Sequence, residues 1–107
     1  MASKYKLVFF VPTAAADAVK SAVLKVGAGQ YPNYAEVCFT TAGTGQFRPV
    51  GDAVPHIGQV GQLERLDELR IETMCASEDV TRKAVEAIKK THPYEVPVYE
   101  VYRIEDF

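Results

Sequence analysis

The chain has 107 residues, of which 48% are hydrophobic and 24% are charged, and its formal net charge at pH 7 is −2. This length predicts a single domain, residues 1–107, and the composition is typical of a folded globular protein. The slightly acidic balance argues against general nucleic-acid binding, which needs a basic surface. The longest apolar run, Leu7 to Val11, is far shorter than the ~18 residues of a membrane span and shorter than a secretory signal core. We therefore expect a cytoplasmic protein with no membrane and no nucleic-acid partner.

The first part of the chain predicts a strand, a helix and a second strand. Residues 5–11 are aromatic and β-branched, which predicts a central strand. Apolar residues then recur at spacings of three and four, which predicts a helix with Thr13 as its N-cap and Gly27 just beyond its end. After a turn, residues 34–41 alternate in polarity, which predicts a second strand.

The second part repeats this pattern after a segment rich in glycine and proline. Residues 42–61 hold five of the seven glycines, so we expect a long irregular excursion there, built as a twisted hairpin. Residues 63–76 alternate and predict a long third strand. Ser77 is a suitable N-cap for a second helix that ends near His92, and residues 98–104 alternate again.

The order β-α-β-excursion-β-α-β predicts an α+β fold of the ferredoxin-like, split βαβ type, in which an antiparallel sheet carries two helices on one face. The other face has no helix to cover it. Its charges are interspersed with large side chains, namely Phe9 or Phe10, Tyr99 or Tyr102, and Met74. We expect a second copy of the chain or the excursion to cover this face, and hence a homo-oligomer, either a dimer or a trimer.

Two short strings offer ligand chemistry. Thr44, Gly45 and Arg48 combine a close backbone approach, a hydroxyl and a cation, which suits a small anion. No helix follows the glycine, so a hairpin or bulge is the simpler interpretation of this string. His92 and Glu95 are donor types that bind divalent metal ions. His92 also follows a helix, where capping of the helix end is the simpler role.

Several strings, taken together, resemble a known family. The insertion domain of the YqfO-type, Nif-three-like proteins, also called the dinuclear metal centre or GTP cyclohydrolase type 2 homologue family, is similar in the order and spacing of five strings: Gly27-Ala28-Gly29, residues 43–49, Ile57-Gly58, Arg70-Ile71-Glu72 and His92-Pro93-Tyr94-Glu95. The last string also resembles the end of CutA sequences. CutA subunits are trimeric and PII-like, and they share the ferredoxin-like layer.

The resemblance implies a binding role rather than catalysis. In that family the paired-metal ligands lie in lobes that flank this domain, outside the present residues. We therefore expect a small non-catalytic binding or regulatory protein that self-associates and takes a metal ion or a small anion. Two other functions stay open: a metal-assisted nucleotide hydrolase using His92 and Glu95, and an interaction module that docks on a metal-centre protein. His56 stands where the family has an aromatic residue, and we expect a solvated loop histidine there.

Overall fold

A computed structural model describes residues 3–107. The elements follow one another as β1 (Lys4–Pro12), a 3-10 turn (Thr13–Ala15), α1 (Ala16–Lys25), β2 (Phe39–Phe47), β3 (Glu64–Cys75), α2 (Glu78–Thr91) and β4 (Tyr99–Ile104). The strands form one antiparallel sheet in the order β2-β3-β1-β4. The ferredoxin-like fold expected from the sequence is confirmed. Neither helix within the described residues is long and apolar enough to span a membrane.

The core lies between the two helices and one face of the sheet. Alternate residues of β1 and β3 turn to this side and pack with α1 and α2 in one buried cluster, whose larger members are Leu7, Phe9, Val11, Val19, Val23, Ile71 and Ile88. Burial of an apolar side chain of this size contributes about 1.5–3 kcal/mol. This shared layer therefore holds both helices against the central strands.

Helix α2 begins and ends as the sequence predicts. The Ser77 hydroxyl oxygen accepts a hydrogen bond from the Val80 N–H at 3.2 Å, as an N-cap does. At the other end His92 is the C-cap, and its N–H donates to the Ile88 carbonyl at 2.8 Å. The cap residues are local signals, which explains why the sequence locates both ends.

The start of α1 differs from the prediction. Thr13 does not cap the α-helix, because the chain first makes the 3-10 turn and the Thr13 hydroxyl donates to the Asp67 carbonyl at 3.4 Å. The α-helix begins at Ala16, after an Ala15 N-cap that makes no side-chain hydrogen bond. Gly27 ends the helix as predicted, with a φ of +111° that favours glycine.

Strand β2 also differs from the prediction, because it begins at Phe39 rather than at residue 34. Tyr31 and Tyr34 exchange backbone hydrogen bonds of 2.8 and 3.0 Å, which closes a tight turn. Asn33 and Glu36 then adopt positive φ values of 69° and 58°, so the chain cannot extend here. The alternation across residues 34–38 is therefore not that of a strand, and only residues 39–41 of the predicted segment belong to β2.

The excursion begins later than the predicted residue 42, because residues 42–47 belong to β2. Gly45 is part of the strand, and the Glu68 carboxylate of β3 occupies the space that a side chain at Gly45 would fill. The irregular connection is residues 48–63, called the long loop below.

The face of the sheet without helices, called the open face below, is partly covered. Pairing of the strands puts Phe10, Met74 and Tyr102 on this face, and Phe9 and Tyr99 on the helix side. The long loop lies against residues 93–98 at one end of the sheet. It leaves Phe39 of β2 68% exposed and Tyr102 50% exposed. The excursion therefore does not supply the expected cover for most of this face.

Candidate functional site

The long loop and the segment of residues 93–98, called the connecting segment, enclose a cleft. At the base of the loop, Arg48 Nη1 donates to the Gly61 carbonyl at 3.0 Å and the Gly61 N–H donates to the Pro49 carbonyl at 2.7 Å. Farther along, the Val54 N–H donates to Glu95 Oε2 of the connecting segment at 2.6 Å. These bonds hold the long loop together at its base and attach it to the connecting segment across the cleft.

The lining of the cleft is mainly apolar and includes several polar side chains. Its volume is about 360 Å³, at the lower end of the range for small-molecule sites. Apolar walls come from the loop and the connecting segment, including Phe47, Pro49, Val50, Ala53, Ile57 and Val96. The polar lining consists of Gln46, Arg48, His56, Glu68, Tyr94 and Glu95. Such a mixture can hold a small molecule by its apolar body and orient it by a few polar contacts.

Tyr94 links the aromatic and acidic parts of this cleft. Its ring centre lies 5.8 Å from that of Phe47 and 6.4 Å from that of His56. Its hydroxyl donates to Glu68 Oε2 at 3.4 Å. Burial first, and then the negative charge of Glu68, raise the pKa of Tyr94 to about 12. The phenol therefore stays neutral near pH 7 beside a charged carboxylate.

His92 fixes the backbone of Tyr94 through a hydrogen bond. The imidazole is buried, and its Nδ1 accepts a hydrogen bond from the Tyr94 N–H at 3.1 Å. Nε2 lies 2.8 Å from the Phe10 carbonyl oxygen. Because Nδ1 accepts a hydrogen bond, the ring proton is assigned to Nε2. The Nε2–H then donates a hydrogen bond to the Phe10 carbonyl oxygen. His92 thus ties the end of α2 to β1 and to the connecting segment.

The proposed metal donors do not fit a metal ion as they stand. Both ring nitrogens of His92 already have hydrogen-bond partners, and one oxygen of Glu95 accepts from Val54. Across residues 3–107, no group of three or more His, Cys, Asp or Glu side chains is placed to hold a metal. A metal at His92 would have to replace two hydrogen bonds, so this assignment stays a prediction.

The predicted anion residues are separated by the fold. Thr44 and Gly45 are consecutive residues of β2 and therefore turn to opposite faces of the sheet. The Glu68 carboxylate lies over Gly45, where its negative charge opposes an anion. Arg48 lines the cleft together with Glu95, whereas Thr44, Gly45 and His92 do not. The structure thus brings one residue from each of the two predicted strings, Arg48 and Glu95, into the same cleft.

Glu68 and Tyr94 are the site residues that sequence reasoning missed. Glu68 and Glu72 flank Arg70 at the same spacing along β3, but the ion pair of Arg70 Nε is with Glu72, at 3.4 Å. The string around His92 and Glu95 gave the only signal, since Tyr94 lies between them.

The sheet order, the two helices on one face and the long β2–β3 loop define a domain with the CutA- and PII-like form of the ferredoxin-like fold. CutA from Archaeoglobus fulgidus aligns with a TM-score of 0.68 over 97% of this chain and 86% of its own, at 13% identity. Bacillus subtilis GlnK, solved with ATP, aligns with a TM-score of 0.64 over 97% of this chain and 84% of its own, at 15% identity. At these identities the likeness concerns the fold alone.

Sequence similarity points to a more specific relationship. A Halalkalibacterium halodurans protein named GTP cyclohydrolase 1 type 2 homolog is 45% identical over 100 residues, which cover 94% of this chain and 27% of that protein. The Bacillus subtilis protein of the same name is 37% identical, with 94% and 26% covered. A Bacillus cereus protein related to NIF3, solved by crystallography, has a TM-score of 0.81 at 37% identity, over 98% of this chain and 26% of its own.

The chain is therefore homologous to a segment of these proteins, and the resemblance to the Nif-three-like insertion domain is confirmed. It spans about a quarter of the length of the curated relatives that it matches. No protein-family model matches it.

Proposed function

We propose that this chain is a small, non-catalytic binding or regulatory module that self-associates through the open face and β2. The observation that carries this proposal is the exposure of β2. Residues 39–44 are exposed although they alternate between the two faces, and β2 also forms an edge of the sheet. An exposed edge with a large apolar residue such as Phe39 favours association with another chain.

Charges on the open face suit a second copy of the same surface. Lys6 Nζ lies 3.5 Å from Glu72 Oε1, and Arg70 Nε lies 3.4 Å from Glu72 Oε2. The Arg70 guanidinium also lies over the Phe10 ring, 5.6 Å from its centre. Because both signs of charge lie beside apolar surface, two copies can meet without net repulsion. Phe39 and Tyr102 then supply the apolar contact.

Light scattering after size-exclusion chromatography, with protein at tens of micromolar, tests this proposal. We expect a multiple of the 11.8 kDa chain mass. Phe39→Glu puts a charge into the proposed interface and should yield monomer, whereas Phe107→Glu, the same change at a fully exposed position outside the sheet, should leave the oligomer intact. A monomeric wild type, or a Phe39→Glu variant that assembles normally, would count against the proposal.

The ligand that we propose for the module is a metal ion or a small anion. Arg48 supports an anion, because its guanidinium has donors beyond the one bound to Gly61. His92 with Glu95 is the proposed metal pair. Thermal unfolding of metal-free protein with divalent ions and with phosphate tests both, since a ligand at 100 times its Kd adds about 2.7 kcal/mol. Loss of the shift in Arg48→Ala or in His92→Ala assigns it, and no shift with any ion rejects both.

A second candidate follows from the partial coverage of the relatives. Because the chain matches about a quarter of proteins named GTP cyclohydrolase 1 type 2 homolog, it suits a module that docks on a metal-centre protein. Co-elution with a form of the Halalkalibacterium relative that lacks the matched segment tests this docking. GTP turnover with Mn²⁺ or Zn²⁺ tests the nucleotide hydrolase, which stays a prediction, as does a cytoplasmic location.

A further inference from the structure

We propose that the cleft between the long loop and the connecting segment binds a small organic cation, an ammonium group on an apolar or aromatic body. Glu68 would take the charge, and the rings of Tyr94 and Phe47 would enclose the ammonium and its body. The site is built within one chain. The proposal therefore goes beyond the self-associating module and does not depend on it.

The first step concerns the charge of Glu68. Its side chain is half-buried, and no ion pair within residues 3–107 neutralises it. Arg70, two residues away on β3, pairs with Glu72 instead. Among the described residues, the Glu68 carboxylate accepts one hydrogen bond, from the neutral Tyr94 hydroxyl at 3.4 Å, which is long for this type of bond. The carboxylate therefore retains the capacity to bind a cation.

The second step concerns the rings beside that carboxylate. The Phe47 and Tyr94 rings meet at 60°, and the His56 and Tyr94 rings at 50°. Rings set at steep angles to one another form the walls of a corner rather than a flat stack. Aromatic faces carry negative potential and attract ammonium groups. Tyr94 contacts the Glu68 carboxylate and Phe47 packs against Tyr94, a combination that can recognise an organic cation.

The third step concerns the sign of the potential. Glu68 and Glu64 both act on Tyr94, where their negative charge adds to burial in favouring the protonated phenol. The same potential attracts a cation and repels an anion. Arg48, the arginine of the lining, donates to the Gly61 carbonyl at the base of the long loop. The part of the cleft beside Glu68 and Tyr94 therefore favours positive charge.

The fourth step concerns size and polarity. The volume of about 360 Å³ and the apolar side chains Val50, Ile57 and Val96 suit a compact apolar body. A bare inorganic cation would leave these walls in contact with water. An ammonium compound with one ring or a short alkyl chain uses both the charge and the walls.

Three probes of one shape test the proposal in NMR titrations of the wild-type protein at millimolar ligand. They are 2-phenylethylammonium, the neutral 2-phenylethanol and the anionic 3-phenylpropionate. We expect saturable shifts of the amides of Glu68, Tyr94 and the long loop with the ammonium. The alcohol should bind at least about tenfold more weakly, a difference of about 1.4 kcal/mol, and the anion more weakly still. Equal binding of the alcohol and the ammonium, or no saturable shift in the cleft, overturns the proposal.

Variants assign the charge to its residue. Glu68→Gln keeps the shape and removes the charge, so it should lower the ammonium affinity at least about tenfold and leave that of the alcohol unchanged. Glu105→Gln makes the same charge change at an exposed position after β4 and should bind as the wild type does. A Glu68→Gln variant with wild-type affinity refutes the assignment. Light scattering on the same samples reports self-association separately, and the comparison of the three probes on wild-type protein decides the charge preference even if the variant misfolds.

Discussion

Gly29 offers a sharp test of how the turn after α1 is built. Its N–H donates to the Met74 carbonyl of β3 at 2.7 Å, and its carbonyl accepts from the Val37 N–H at 2.9 Å. Its φ is +75°, in the left-handed region that favours glycine. The backbone is therefore held on two sides in a conformation that other residues adopt at a cost.

Gly29→Ala combines two penalties. The left-handed conformation costs a residue with a Cβ about 1–2 kcal/mol. The new Cβ would also lie 2.5 Å from the Val37 carbonyl oxygen and 2.8 Å from the Val37 nitrogen. Backbone atoms cannot rotate away, so we add an overpacking cost of about 1–3 kcal/mol. The total, about 2–5 kcal/mol, is a large part of the ~5–15 kcal/mol by which domains are stable.

Two other glycines separate these penalties in urea unfolding experiments. Gly51 has a φ of +59° but no atom within 4 Å of the place that a Cβ would take, so Gly51→Ala should cost only the conformational part, about 1–2 kcal/mol. Gly43 has neither a positive φ nor a close neighbour, and Gly43→Ala should be neutral or stabilising by up to about 1 kcal/mol. If Gly29→Ala costs no more than Gly51→Ala, the close approach to Val37 is not part of the native state.

Two further predictions concern the support of the cleft. His92→Ala removes the hydrogen bonds to Phe10 and Tyr94 and should lower the free energy of unfolding by about 1–3 kcal/mol, seen as a lower Tm; an unchanged Tm would contradict the buried geometry. Because the pKa of Tyr94 is about 12 in the folded protein, against about 10 for an unperturbed tyrosine, its contribution to stability is complete below pH ~10 and is lost as the pH rises towards ~12. Urea unfolding from pH 9 to pH 12 should show this loss in the wild type and a smaller one in Tyr94→Phe, and equal losses in the two proteins would refute it.

The parts of the fold that local signals determine could be predicted. Ser77 caps α2 through a bond to a residue three positions away, and Gly27 ends α1 through its own conformation. Strand β2 could not be located in this way. Gly45 is a weak strand residue by itself, but the Glu68 carboxylate of β3 fills the space beside it. That contact joins residues far apart in sequence, so no local pattern reports it.

The candidate site was predictable only in part for the same reason. Arg48 attracts notice as a cation next to Pro49, and Glu95 as a carboxylate three residues after His92. The pairing of Glu68 with Tyr94 depends on the sheet order, because β1 lies between β3 and the connecting segment. Phe10 of β1 pairs with Arg70 on one side, and its N–H donates to the Val98 carbonyl at 3.1 Å on the other. Only the assembled sheet brings Glu68 within reach of the tyrosine.

The pairing of β1 with β4 also determines where a polypeptide enters and leaves the sheet. Lys4 and Ile104 are direct partners in this ladder, and antiparallel partners have Cα atoms about 4.5–5.5 Å apart. A longer chain can therefore carry these strands and helices in one of its surface loops with the ends of that loop almost closed, at little cost in loop entropy. Such a unit can be gained or removed in one piece without moving the scaffold on either side, which makes it portable between host proteins.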